Sequence, residues 1–451
     1  MTSSLNEVLW QSPFKKAKIT GKSPSFQMQP VNTDPQHTAP FGFVATHFVF
    51  SLFGLFATLS LLVIRLDDLG GPIISGLPFG LAHTAVLIWL LPVAVGALYQ
   101  MLPVLADAPP APRKLSWLAF GLYALGSTGL VAHLLTLNTS PGLVATAGLT
   151  LAGILLHVGL LHGVLAKARK KDESTKFVRD ALSWLATAVI LGLLLALSLR
   201  SPLFENPHFL WMPIHVHLAA FGFFAMMAMG VVPKLTEMFL VAHGPEGRSA
   251  SFGRHFGNLA MLFLLAGGFG LIERSLEGAA LFMALSVIAF LIRMKEVFQR
   301  RLKKQLDAPW RYTQASFFWL SFSVGLGIWL VSGLAPIEND SQNWAYATAF
   351  FFGFLGNLIL GQQYKILPFL VWLHRFGDTF GEEGSVSAQD LVPKSLKRLE
   401  VLLWNLGVSG MVVSFFLSSS SVQWLAVCSL AFAGIFAASS LFGVLLRRPR
   451  P

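Results

Sequence analysis

The chain has 451 residues, of which 54% are hydrophobic and only 12% are charged. A soluble domain carries about a quarter charged residues, so this composition excludes an ordinary soluble protein. The net charge of +11 would suggest nucleic-acid binding in a soluble chain. In a membrane protein the same excess is expected from basic cytoplasmic loops, and we expect no nucleic-acid partner.

Long apolar runs follow a polar, basic arm at 1–36, which lacks the apolar core of a signal peptide. A hydrocarbon core of roughly 30 Å needs about 20 apolar residues per helix. Seven uncharged runs predict α1 to α7, in order: 38–64, 69–106, 118–137, 142–166, 181–199, 209–233 and 255–272. Three more predict the last four helices: 312–337 for α9, 344–364 for α10 and 401–446 for α11 and α12. The last run is long enough for α11 and α12, divided at the serines 418–421. A shorter run at 278–292 predicts α8 if Arg293 extends its charge to the interface.

These runs predict an all-α membrane bundle of about 12 transmembrane helices, in a single domain over 37–447. Of the 33 Lys and Arg residues, 28 fall in the arm, the tail and alternate loops on one side. The positive-inside rule then predicts a multi-pass protein of a bacterial-type inner membrane with both termini cytoplasmic. The lipid bilayer is its expected partner.

Three similar segments, at 96–105, 230–239 and 361–370, lie 134 and then 131 residues apart. The same offsets match further residues, namely His83 with His217 and Thr348, 221–223 with 352–354, Tyr99 with Tyr364, Pro103 with Pro368, and Lys234 with Lys365. Each period holds four apolar runs, which predicts three repeat units at about 38–170, 180–300 and 311–447. The alternative is chance, because Gly and Pro are common in membrane helices.

Histidines are the candidate ligands, because the single cysteine, Cys428, excludes cysteine-based metal sites and CxxCH haem attachment. Ionisable groups inside a membrane are costly and often functional, although a neutral imidazole can also simply join two helices. The topology divides the twelve histidines into three groups. His83, His133, His208, His215 and His217 fall in the outer half, His47, His157, His162 and His255 in the inner half, and His37, His243 and His374 in loops.

His83 on α2 and His217 on α6 occupy equivalent repeat positions and are the strongest candidates. His215 precedes His217 by two residues, which are about 200° apart on a regular helix, so we expect only one of them to act as a ligand with His83. His133, His47, His157 and His255 are secondary candidates.

Charged residues near the inner ends have structural interpretations. Lys234 and Lys365 are expected to anchor α6 and α10 at the interface. Glu237 is expected to pair with Lys234 three residues before it, with proton uptake as the alternative.

The stretch from His83 through Trp89 to Tyr99 is similar to the second helix of nitric oxide reductases and cbb3-type oxidases. Together with twelve helices in three units of four, it resembles the catalytic subunit of the haem-copper oxidase superfamily. The resemblance implies that His83 is an axial ligand of haem b and that His215 or His217 binds a second metal.

This chain departs from the family in two helices. The run 344–372 of α10 contains no histidine, where the family has ligands of both haems, and α7 offers only His255 where copper needs an adjacent pair. A proton-pumping terminal oxidase and a copper centre are therefore not expected. The resemblance is closer to divergent members such as the NnrS-type proteins linked to nitric oxide tolerance.

The predicted function is that of a haem-binding membrane protein in electron transfer or in nitric oxide or oxygen handling, with His83 and either His215 or His217 as iron ligands. A quinone or another membrane redox protein is the expected electron donor. The alternative is a cofactor-free transporter or structural subunit that retains the oxidase fold. The threefold repeat and the nearly uncharged midplane are unlike most secondary transporters.

Overall fold

A computed structural model of the protein describes residues 39–201, 203–204, 207–242, 244, 247–304, 306–307, 309–334, 340–377, 385–392 and 397–448, with side chains omitted at 207–209. The predicted arm at 1–36, His37 and His243 lie outside these residues. Across the described ranges the chain is helical, and no strand of a sheet is formed.

Twelve long helices contain most of the described residues, and short connections join them. Their bounds are α1 Phe41–Ile64, α2 Gly76–Ala106, α3 Arg113–Leu135, α4 Pro141–Ala166, α5 Glu173–Ser198, α6 207–240, α7 Arg248–Gly268, α8 Ser275–Arg300, α9 Pro309–Val331, α10 Asp340–Arg375, α11 Lys397–Leu417 and α12 Ser420–Leu446. Of the described helices, all but α7 are long and apolar enough to cross a membrane. The prediction of an all-helical, multi-pass membrane bundle is confirmed at this level.

The bounds of α7 differ from those of the apolar run at 255–272, because the helix begins at Arg248 and includes a second charged residue, Arg254. Arg254 lies 3.0 Å from a carboxylate oxygen of Glu173 and 3.0 Å from one of Asp180, both on α5. Asn258 donates to the same Asp180 carboxylate at 2.7 Å. These pairs satisfy the polar groups between two helices, which a search for uncharged runs does not detect.

The expectation that Arg293 extends to the interface is wrong. The side chain is only 5% exposed, and its guanidinium forms ion pairs with Glu237 of α6 and, at 3.3 Å, with Glu296. The predicted pairing of Glu237 with Lys234 is present at 3.9 Å, with Asp172 closer to Lys234 at 3.3 Å. The inner ends of α6 and α8 are therefore joined by a charge network.

Arg293→Met should destabilise the protein by about 3 kcal/mol, because it leaves the largely buried Glu237 carboxylate without its guanidinium. The double variant Arg293→Met/Glu237→Gln should recover much of that loss. Thermal unfolding in detergent measures both, with the exposed Arg274→Met as a control expected to leave the midpoint unchanged. Equal midpoints for the single and double variants would contradict a coupled pair.

Lys365 is buried rather than exposed at the interface, which corrects the second anchor prediction. Its side chain is 6% exposed, and the ammonium lies 3.6 Å from Asp307 and 3.6 Å above the centre of the Trp310 ring. A carboxylate and an aromatic face together offset the cost of burying the charge.

Three helices each contain a π-helical segment: Thr84–Leu90 in α2, Leu218–Ala225 in α6 and Ala349–Gly356 in α10. The segments begin 134 and 131 residues apart, the same offsets that relate the sequence motifs. They begin directly after His83, His217 and Thr348. Each packs against the first helix of its predicted unit, α1, α5 or α9. Segments of this kind are rare and occur frequently at functional sites.

Aromatic side chains satisfy carbonyl groups of two π-helical segments. Tyr123 of α3 donates to the carbonyl of Leu87, and Trp404 of α11 donates to the carbonyl of Phe352 at 3.0 Å. Leu87 and Phe352 are equivalent under the offsets above. A widened turn exposes backbone groups that would otherwise be unpaired inside the membrane, and these bonds remove that cost.

Candidate functional site

His83 of α2 and His215 of α6 lie next to each other inside the bundle. Their ring centroids are 6.2 Å apart, and their planes are inclined by only 14°. His83 ends the α-helical first part of α2 immediately before the π-helical segment, and His215 lies in the corresponding part of α6. The structure therefore pairs His83 with His215 rather than with His217.

Hydrogen bonds determine which nitrogen of each imidazole is protonated. His83 Nδ1 lies 2.7 Å from the carbonyl oxygen of Phe79, and His215 Nδ1 lies 2.9 Å from that of Ala188 on α5. A carbonyl oxygen only accepts, so each neutral ring carries its proton on Nδ1 and a lone pair on Nε2. Bonds of this kind orient metal-ligating histidines in known sites.

Gly192 of α5 provides the space for the His215 ring. A Cβ atom at this position would lie 2.8 Å from Cε1 of His215, which is closer than carbon atoms normally approach. The absence of a side chain at Gly192 thus allows the imidazole to pack directly against the α5 backbone, where it bonds to Ala188.

Both rings line a cavity of about 170 Å³. Its walls come from α2 to α6, with Phe351 from the π-helical segment of α10. The lining is apolar except for His83, His215 and Thr150, and it includes no charged side chain among the described residues. An apolar cavity with a few convergent polar groups is typical of a cofactor or small-molecule site.

His217 has a different environment, although it is the repeat equivalent of His83. Its Nδ1 lies 2.7 Å from the carbonyl of Pro213, and its Nε2 accepts a hydrogen bond from the Tyr346 hydroxyl at 3.0 Å. Tyr346 belongs to α10, where it occupies the position equivalent to His215. His217 therefore joins α6 to α10, and it does not line the cavity.

Three other histidines, His133, His255 and His374, do not join this pair. His133 packs beside Gly142 at the start of α4, and His255 is exposed and bonds to the Ser251 carbonyl at 2.7 Å. His374 lies beside Phe41, with ring centroids 5.2 Å apart and ring planes inclined by 47°. The side chain of His208 lies outside the described residues.

A second histidine pair is buried between α1 and α4. The ring centroids of His47 and His157 are 5.7 Å apart, and His157 Nδ1 is 2.9 Å from the Tyr99 hydroxyl. His47 Nδ1 bonds to the carbonyl of Phe43 at 3.0 Å. The Nε2 atoms of both rings are buried, and within the described structure neither has a hydrogen-bond partner. The two secondary candidates are thus neighbours.

A buried carboxylate was missed because it stands at the edge of the last apolar run. Glu400 of α11 is fully buried and accepts from Tyr312 of α9 at 2.6 Å and from Tyr364 of α10 at 2.8 Å. The repeat contained a signal, since Tyr364 matches Tyr99 and Tyr312 lies at the position equivalent to His47. Polar clusters therefore occupy matching places in the first and third predicted units.

The His83–His215 pair suits a cofactor such as haem, in which the cofactor itself supplies the other ligands of the metal. Among the described residues, no three His, Cys, Asp or Glu side chains are grouped to hold a metal ion alone. Two imidazoles that bind one metal from opposite sides at about 2.0–2.1 Å have ring centroids roughly 6 Å apart. The pair meets that spacing, whereas a bare copper or zinc site would need further protein ligands.

No family model matches the chain, and no curated protein matches it either. The fold and the cavity alone define its class, which is a multi-pass helical membrane protein with two histidines in an apolar cavity.

Proposed function

We propose that this chain is an integral membrane haem-binding protein related to the haem-copper oxidases, in which His83 and His215 would hold a b-type haem. The observation that carries the proposal is the pair of nearly parallel imidazoles, 6.2 Å apart, in an apolar cavity. Each ring has its Nε2 lone pair available, because Nδ1 donates to a backbone carbonyl.

Electron transfer is the activity that this ligand set favours. A bound haem would supply one-electron redox chemistry, tuned by its axial ligands and by burial. With both His83 and His215 holding the haem, the site would favour electron transfer over the binding of nitric oxide or oxygen. The two imidazoles are held differently, because His83 bonds within its own helix and His215 bonds across to Ala188 of α5.

The relationship to the oxidases is supported by the regular spacing of the three π-helical segments and by their common packing against α1, α5 and α9. It is limited by α10, where Thr348 and Tyr346 stand at the positions equivalent to His217 and His215. We therefore propose a divergent member with one haem and no copper. The basic loops support a bacterial-type inner membrane with cytoplasmic termini, and a quinone or membrane redox protein as donor.

A cofactor-free role is the second candidate, and one observation favours it. The described cavity lining contains no Lys or Arg to pair with haem carboxylates. In that case the two histidines would stabilise helix contacts in a structural subunit, or line a path for a transported solute.

Absorption spectroscopy of the full-length protein tests the proposal. Expression with excess haem and purification in detergent should give a Soret band and about one b-type haem per chain by pyridine haemochromogen assay. A purified, monodisperse protein without a Soret band would refute haem binding. Solute flux in haem-free proteoliposomes would then support the transporter alternative.

A further inference from the structure

The carboxyl group of Glu400 is the most deeply buried acidic group of the described bundle. Its residue is 0% exposed, and the two tyrosines that bond to it are 1% and 3% exposed. Tyr312 donates to Oε1 and Tyr364 to Oε2, so both carboxylate oxygens have partners from neighbouring helices. An ionisable group held this way inside a membrane protein indicates function more often than packing.

The hydroxyl groups around Glu400 can hydrogen-bond to its carboxyl group in either charge state, ionised or neutral. In the carboxylate state both tyrosines donate to it. Tyr364 also interacts with the Ser440 hydroxyl of α12. A tyrosine hydroxyl both donates and accepts, so Tyr364 can turn its hydrogen to Ser440 and accept a proton held on Oε2 of Glu400. The bond between Tyr364 and Glu400 is kept in this exchange, with its direction reversed.

Glu400 lies close to the described start of α11. It lies one turn after Lys397, the first residue of α11, which corresponds to about 4.5 Å along the helix axis. The Lys397 ammonium lies 5.5 Å from the centre of the Tyr364 ring, on the same side of the cluster. The titratable groups that face Glu400 are therefore Tyr312 from α9, Tyr364 from α10 and Lys397 on its own helix, while α12 contributes the Ser440 hydroxyl.

We propose that Glu400 is an internal proton-binding site, which takes one proton from water at the α11 end and holds it on Oε2 between Tyr364 and the carboxyl group. The proton converts the carboxylate to the neutral acid, and no other covalent bond changes. This inference is independent of the haem proposal, because the cluster shares no residue with the cavity of His83 and His215.

Infrared difference spectroscopy of the detergent-purified full-length protein tests this inference. An acid-minus-base spectrum should contain a narrow carboxylic C=O band that shifts in D₂O and is lost in Glu400→Gln. Glu277→Gln, which removes an exposed carboxyl group near the start of α8, should leave that narrow band unchanged. A wild-type spectrum whose narrow bands all persist in Glu400→Gln would overturn the proposal and indicate a permanent carboxylate.

Two further variants keep the test decisive if Glu400→Gln does not fold. Tyr364→Phe removes the partner that accepts the proposed proton, so the narrow C=O band should move to higher frequency. Ser440→Ala should move it in the same direction by a smaller amount, because Tyr364 then loses its alternative acceptor. An unchanged frequency in Tyr364→Phe would show that the proton does not reside at Oε2, and the assignment would be rejected.

Discussion

Replacing His83 by alanine should abolish the Soret band of the haem-loaded protein, or shift it to that of a five-coordinate species. The imidazole is one of two whose ring centroids lie 6.2 Å apart, and Met212 is the only other described residue of the cavity lining whose side chain can bind iron. His215→Ala should have the same effect. Free imidazole added to either variant should restore the original spectrum, because the substitution leaves a space of matching shape.

His217→Ala distinguishes the structural pair from the repeat-based one. Its Nε2 is bonded to Tyr346, so we expect the Soret band to remain and thermal stability to fall. His133→Ala and His255→Ala serve as controls that should leave the spectrum intact, since neither residue lines the cavity. Loss of the band in His217→Ala, with retention in His215→Ala, would reject the assignment of the second ligand.

Gly54→Val should prevent stable folding, with a loss of about 3 kcal/mol or more. Gly54 brings α1 against the π-helical segment of α2, where an added Cβ would overlap the carbonyl group of Ile88. The overlapping atoms are backbone, so a rotamer change cannot relieve the contact. The two helices must separate instead.

Gly121→Val on α3 is the matched control, since a Cβ there meets nothing within 4 Å. Both substitutions introduce the same β-branched residue into a helix and carry the same propensity cost. Size-exclusion chromatography and thermal unfolding in detergent should give aggregated or poorly expressed Gly54→Val and nearly normal Gly121→Val. Equal midpoints for the two variants would show that α1 and α2 can move apart without penalty.

Apolar run length predicted the helices well, because a membrane helix must satisfy its backbone within one continuous segment. The break before α12 was predicted at the serines 418–421, and α11 ends at Leu417. The uncharged runs differ more from the helix bounds at α7 and α8, because Arg254 and Arg293 lie within these helices and form ion pairs. Partners for those charges come from α5 and α6, and a scan of single runs does not contain that information.

The candidate site was predicted in part. His83 and α6 were identified from the repeat, and the repeat offsets also relate the three π-helical segments. The sequence favoured His217 over His215, because His217 is the repeat equivalent of His83. In the structure, His217 instead bonds to Tyr346. Symmetry in sequence assigns positions along helices, but a partner on a neighbouring helix depends on which helices are adjacent and how each is rotated.

The sequence by itself determined that the chain is a helical membrane protein, which helices it has and which residue types its chemistry can use. Only the tertiary structure decided that His83 lies beside His215, that His47 lies beside His157, and that Glu400 is held by Tyr312 and Tyr364. The physical reason is that hydrophobicity is a property of each segment alone. A site between helices depends instead on packing contacts and on the rotation of each helix, which a π-helical segment can change within a single turn.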